Sequence, residues 1–184
     1  MAFECIKTDF EGAYLINPFY SMDSRGGFVK CFEKDIYKQL GIEFELNETF
    51  YSISAKNVMR GLHFQKNHPQ DKLVTVVKGA ILDVIVDIRR DSKTFGHWQI
   101  FELNEENHSV LFVPAGFAHG FISLEDKTIM LYQCHEPYDK ETDTGISILD
   151  YDIGIKWPVD VKDVIMSDRD KELMSFEEYC RLEG

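Results

Sequence analysis

Side-chain chemistry in this 184-residue chain has to come from a few polar groups set inside apolar runs. His63 lies in Arg60-Gly61-Leu62-His63-Phe64-Gln65, and His119 in Pro114-Ala115-Gly116-Phe117-Ala118-His119-Gly120-Phe121. A histidine titrates near neutral pH, so it can move a proton or, when neutral, bind a metal. Lys72 heads an otherwise apolar segment, and Tyr132 lies in Met130-Leu131-Tyr132-Gln133-Cys134 with Tyr138 beyond it. Ser167-Asp168-Arg169-Asp170 adds carboxylates near the C-terminal end. Each group also has a plain structural reading. A strand histidine is usually a hydrogen-bonded interior group, and a strand-edge lysine is usually solvated. A strand tyrosine usually fills the core. Ser167 or Asp168 reads as a helix N-cap, with Asp170 favoured in the first turn by the helix dipole. Alternate side chains of a strand share a face. Leu62 and Phe64 therefore point one way, and Gly61, His63 and Gln65 the other.

The elements that must position these groups are mostly strands. Fourteen Phe and eight Tyr, with many Val and Ile, favour β structure. Residues 3–20 read as extended, broken at Asn17-Pro18. Residues 23–28 have turn chemistry running into a strand, and residues 33–41 read as a short helix stopped at Gly41. Residues 72–77 and 81–88 pair about a tight turn, and strands follow at 98–103, 109–113, 119–124 and 128–134. Closely spaced short strands with Gly, Pro and Asp turns give a sandwich or barrel. From about residue 168 the period turns helical through 182, with Leu173, Phe176, Tyr179 and Cys180 on one side. The expected organisation is one all-β domain over 1–184 with a C-terminal helical tail.

Composition narrows the function classes. A net charge of -12 without a Lys/Arg-rich run argues against a nucleic-acid partner, and a dianionic ligand would need a local basic pocket. The N-terminus meets an acid at Glu4 and has no long apolar run, so it reads as neither signal peptide nor membrane anchor. Cys5, Cys31, Cys134 and Cys180 are scattered without a CxxC pair, the pattern of reduced thiols in a cytosolic protein.

The segment Pro114–Phe121 resembles a motif of the cupins, small jelly rolls that often bind metal through histidines. A metal cupin offers two histidines at alternate positions and a nearby Glu. Here the position two past His63 is Gln65, a poor ligand, and His68 lies in a loop. A three-histidine metal site therefore stays open only as an alternative.

The strings Arg60–Gln65, Lys72-Leu73-Val74, Asp83-Val84, Val86–Arg89 and Gly116–Phe121 together resemble the dTDP-4-dehydrorhamnose 3,5-epimerase family. Asp23-x-Arg25-Gly26-x-Phe28 and Gly154-Ile155-x-Trp157-Pro158 extend the likeness over about residues 10–172. The resemblance implies a cupin-type jelly roll, working as a homodimer without metal or redox cofactor, that inverts C3 and C5 of a dTDP-linked 4-keto-6-deoxyhexose. It places His63 as the base, Asp170 as the carboxylate orienting it, Tyr132 as the acid and Lys72 near the C4 oxygen. Arg25, Arg60 and His119 fall on positions that hold the nucleotide sugar, and Tyr138 on the aromatic that stacks on the base. The chemistry is coherent. Removing a proton beside a ketone puts charge on the carbonyl oxygen, which a cation stabilises. A histidine is a suitable base near neutral pH. Inversion needs a second group to return the proton from the opposite face.

Departures from the family pattern gather around the nucleotide. Lys30 stands where an acid is usual, Glu48-Thr49-Phe50 replaces Gln-x-Asn, Asp143 replaces Glu, and Arg169 replaces Lys. Glu48, Asp143 and Arg169 are accordingly expected among the substrate-binding residues. The alternatives to a dTDP sugar are a GDP- or CDP-linked one or a heptose, and inversion at one centre only. Two further classes compete: a metal-dependent cupin enzyme, and a sugar-binding cupin without turnover. An apolar segment with Tyr14, Leu15, Ile16, Phe19 and Tyr20 either pairs with a second copy as an edge strand or covers the chain's own sheet.

Overall fold

Where apolar and polar residues alternate, this chain forms strands buried on one face; where apolar residues run on, strands buried on both. The computed structural model describes residues 3–182; residues 1–2 and 183–184, the ends of the span expected for the domain, lie outside the described residues. In chain order the elements are β1 (Glu4–Lys7), β2 (Tyr14–Asn17), β3 (Phe19–Asp23), β4 (Gly26–Lys30), α1 (Lys34–Gln39), β5 (Glu48–Ser54), β6 (Met59–Gln65), β7 (Lys72–Lys78), β8 (Ala80–Asp87), β9 (Trp98–Asn104), β10 (Val110–Val113), β11 (Phe117–Ser123), β12 (Thr128–Cys134), β13 (Asp143–Gly145), α2 (Asp168–Lys171) and α3 (Phe176–Leu182). A six-stranded sheet runs β1-β2-β10-β7-β12-β5 and faces a five-stranded sheet, β13-β6-β11-β8-β9; β3 and β4 form a separate hairpin. This is the jelly roll anticipated from the sequence.

Between the sheets lies a core of Val74, Val76, Ile81, Ile85, Phe121 and Met130 with their neighbours. A second core, with Leu62, Phe64, Val84 and Ile122, packs the other face of the five-stranded sheet against Ile146, Ile148, Ile153 and Tyr179. β8 is therefore buried at every position, which is why its sequence is a continuous apolar run rather than an alternating one. The segment Tyr14–Ile16 pairs with β1 and β10 of its own sheet, so it is an interior strand and not a free edge.

The expected single helix from residue 168 is two short helices. Met174 leaves the helical path to form a bridge with Ile146. Ser175 then restarts the helix: its hydroxyl accepts from the Glu178 N–H while the Glu178 carboxylate accepts from the Ser175 N–H and hydroxyl. This reciprocal cap satisfies helix N–H groups that the break at Met174 leaves free.

Two glycines let the site strands touch. A Cβ on Gly61 would sit 2.6 Å from the His119 carbonyl oxygen, and one on Gly120 would sit 2.5 Å from that of Arg60. Gly61 also has a φ of 107°, which disfavours any other residue. The register shifts at this contact, between His119 and Phe121. At the end of β8, Asp87 closes the turn toward β9 by accepting from Arg89, Ser92 and Thr94. Burial works against its ionisation, but these bonds prevail and hold the carboxyl down at about 2.

Candidate active site

β6 and β11 bring two histidines side by side on one sheet face, since His63 and His119 are register partners. His63 leaves β6 on the face opposite Leu62 and Phe64, as strand alternation requires. Its Nε2 lies 2.6 Å from Asp170 Oδ1. Asp170 is held there by α2, whose N-cap is Ser167: the Ser167 hydroxyl accepts from the Asp170 N–H at 3.1 Å. Burial alone would push the Asp170 carboxyl up, but the bond from His63, the imidazole charge, Ser167 and Arg169 keep it below the usual carboxylate range. An ionised carboxylate can only accept, so Nε2 carries the proton and the Nδ1 lone pair is left to act as a base.

His119 makes the matching bond to Asp83, Nε2 to Oδ2 at 2.8 Å. Asp83 sits on the inner face of β8 between Ile81 and Ile85. Burial pushes its carboxyl up against the pull of His119 and Lys72, and its Oδ1 has no hydrogen-bond partner. Lys72 and Tyr132 enter from the six-stranded sheet, on β7 and β12. Burial lowers the Lys72 ammonium pKa, opposed by Cys134, Asp143 and Asp83. Burial raises that of the Tyr132 phenol, keeping it protonated well past neutrality.

His63, His119, Lys72 and Tyr132 line one cleft of about 230 Å³, together with Glu48, Arg60, Tyr138, Asp143 and Arg169, while Asp170 and Asp83 stand behind the two histidines. At its rim Arg169 pairs with Asp143 at 2.5 Å. Glu48 accepts from the Tyr138 N–H at 2.9 Å and so fixes the loop that carries this ring. Arg60, Lys72 and Arg169 supply the local basic pocket that an acidic chain needs for an anionic ligand. Arg25 is the exception among the expected residues. It lies at the tip of the β3–β4 hairpin, with its side chain 88 % exposed and paired to Asp23. Lys30, also on β4, pairs with Glu33. Gln65 is spoken for structurally: its amide accepts from the Asp139 N–H and donates to the carbonyl of His68.

The profile of the dTDP-4-dehydrorhamnose 3,5-epimerase family matches residues 7–178. The chain belongs to that family. A dTDP-4-dehydrorhamnose 3,5-epimerase of Methanothermobacter thermautotrophicus is 45% identical over 170 residues, 92% of each chain. The crystal structure of the Bacillus anthracis epimerase with TDP and PPi bound superposes with a TM-score of 0.91 at 41% identity, covering 95% of this chain and 100% of that one. The Legionella pneumophila epimerase in complex with dTDP-4-keto-L-rhamnose gives a TM-score of 0.92 at 36% identity, covering 96% and 94%.

Within this epimerase fold the cleft involves four residues that sequence reasoning did not single out as site residues. Gln70 and Ser52 line it, Asp83 stands behind it as the partner of His119, and Phe50, noted only as a departure from the family pattern, lines it beside Tyr132. A carboxylate in the apolar run of β8 was the one available signal for Asp83, because an acid there demands a partner. Ser52 carries no such signal, the departure at Phe50 pointed to the nucleotide, and only the pairing of β5 with β12 brings both to Tyr132.

Proposed function

We propose that this enzyme inverts C3 and C5 of a dTDP-linked 4-keto-6-deoxyhexose, converting dTDP-4-dehydro-6-deoxyglucose to dTDP-4-dehydrorhamnose. One observation carries the reading: a base and an acid enter one cleft from opposite sheets, His63 from β6 and Tyr132 from β12. His63 Nδ1 takes the proton from the carbon beside the ketone. The electron pair moves onto the C4 oxygen, where Lys72 stabilises the enolate. Tyr132 then gives its proton to the same carbon from the other face, and the centre is inverted. Asp170 holds the imidazole tautomer throughout. Arg60 and Arg169 bind diphosphate oxygens, His119 holds the sugar, and Tyr138 stacks on the base. Glu48 and Asp143 act indirectly, by fixing Tyr138 and Arg169. The donor set favours a metal-free mechanism: each histidine Nε2 is committed to a carboxylate and Gln65 to backbone groups.

The working unit in this proposal is a cytoplasmic homodimer. The hairpin exposes Tyr20, Met22 and Phe28, and the edge strand β5 exposes Tyr51 and Ile53; each is an apolar surface suited to a second copy. Arg25 would then serve the partner's cleft. Mixing Arg25→Ala subunits with His63→Asn subunits tests this, because one intact cleft forms per mixed dimer only if Arg25 acts across the interface.

The deciding experiment follows proton NMR in D2O with dTDP-4-keto-6-deoxyglucose and, in parallel, its CDP and GDP counterparts. Deuterium at C3 and C5 of the dTDP sugar is the expected result. Label at one carbon would make this a single-centre epimerase, and exchange with another nucleotide alone would reassign the base. No exchange from folded protein would sink the epimerase reading.

A further inference from the structure

β5 brings four successive contacts to the proton donor and its surroundings. Glu48 fixes Tyr138. The Thr49 hydroxyl donates to the Tyr132 carbonyl at 3.0 Å. Phe50 is the register partner of Tyr132, and the two rings stack with centroids 4.7 Å apart and planes 13° from parallel. Ser52 lies two residues on, on the same strand face as Phe50, and lines the same cleft. Its hydroxyl oxygen is buried and has no hydrogen-bond partner.

Core packing does not explain either side chain. Phe50 is 45 % exposed, on an edge strand paired on one side only, so its ring gains little by burial where it lies. A buried, unpartnered hydroxyl is uncommon and calls for a reason. Both observations have one explanation in the reaction. A face-to-face stack resists rotation of the phenol about its ring bond, and because a phenol O–H prefers the ring plane, the stack fixes the plane in which the O–H lies. When Tyr132 protonates the enolate, its O–H bond breaks, the new C–H bond forms, and the electron pair stays on the phenol oxygen as a buried anion. The Ser52 hydroxyl lies beside that oxygen and already favours its ionised form against burial, although it makes no bond of full geometry in the resting enzyme. Once the phenolate forms, it donates to the charged oxygen and stabilises it.

We infer that Phe50 and Ser52 are positioning residues for the acid: Phe50 sets the plane of the Tyr132 ring, and the Ser52 hydroxyl receives the charge that forms on its oxygen. This rests on the epimerase reading above and assigns to the reaction a stretch that differs from the family pattern at residues 48–50. Those substitutions then serve the returning proton more than the nucleotide base.

The test uses the partition of the enolate. Return of a proton from the His63 side gives substrate of unchanged configuration, labelled when His63 has exchanged with D2O; delivery from Tyr132 gives the inverted product. Phe50→Leu should lower kcat about 10-fold, leave KM within about 2-fold, and raise the ratio of labelled, uninverted substrate to inverted product. Phe50→Tyr, which keeps the stack, should restore the wild-type ratio. Ser52→Ala should raise the ratio as Phe50→Leu does, and it carries the test alone if Phe50→Leu fails to fold. A raised KM with kcat intact would make Phe50 a substrate-binding residue and overturn its part. Loss of rate at the wild-type ratio in these variants would overturn the inference as a whole. Wild-type protein that exchanges nothing would instead remove the epimerase reading, and this inference with it.

Discussion

His63 with Asp170 and His119 with Asp83 are both imidazole–carboxylate pairs, 2.6 and 2.8 Å long, on register-partnered positions of adjacent strands. Their surroundings pull them apart. Asp170 sits at a capped helix start and its carboxyl is held low. Asp83 sits between isoleucines of the inner core, with one oxygen unpartnered and its carboxyl pushed up by burial. The imidazole of His63 keeps 28% of its surface open to the cleft, whereas His119 keeps 5%. One pair therefore has a fixed proton assignment and a free lone pair facing substrate. The other pair is closed off inside the protein, which suits a group that holds the sugar rather than one that attacks it.

The largest effect that would break this contrast is on His63 itself. His63→Asn should lower kcat/KM about 1000-fold with the circular dichroism spectrum unchanged, while activity near wild type would hand the base role to His119. Next, Asp170→Asn should reduce solvent exchange roughly 100-fold by releasing the tautomer, and Asp83→Asn only about 10-fold through a lost hydrogen bond. The reverse order would show that the buried pair is the chemical one. Urea unfolding at several pH values sharpens the contrast further. The lowered Asp170 carboxyl contributes stability above the unfolded value of 3.8, and loses it as pH falls through its folded value. Wild type and Asp170→Asn should then converge in acid. The raised Asp83 carboxyl has the opposite sign: its ionisation weakens the fold as pH rises from 3.8 through the folded value, so Asp83→Asn should gain on wild type with rising pH. The smallest effect is Ser167→Ala, which should cost about 1 kcal/mol in thermal unfolding and lower activity a few-fold through Asp170.

Much of this was readable before the structure, for a physical reason. Alternation in Arg60–Gln65 assigns the His63 face, and Ser167 was expected as a cap because few residues satisfy a free helix N–H. What could not be read depends on contacts distant in sequence. The bond between His119 and Asp83 needs the β8–β11 register. The break at Met174 needs Ile146. Arg25 matches a ligand-binding position by motif, yet its own chain places it away from the cleft, because a hairpin tip can act on a surface outside its own fold. Glu48, expected among the substrate-binding residues, lines the cleft and also accepts from the N–H of Tyr138, a bond that needs the loop after β12.

The contact of Gly61 with Gly120 has a practical meaning for anyone who would redirect this enzyme. The backbones of β6 and β11 leave no room for a single added carbon there, so this contact sets how closely the strands that carry His63 and His119 approach. A library aimed at other sugars gains nothing by varying those two positions, since its members would be lost at expression. Its useful diversity lies at Tyr138 and Arg169, whose side chains border the cleft.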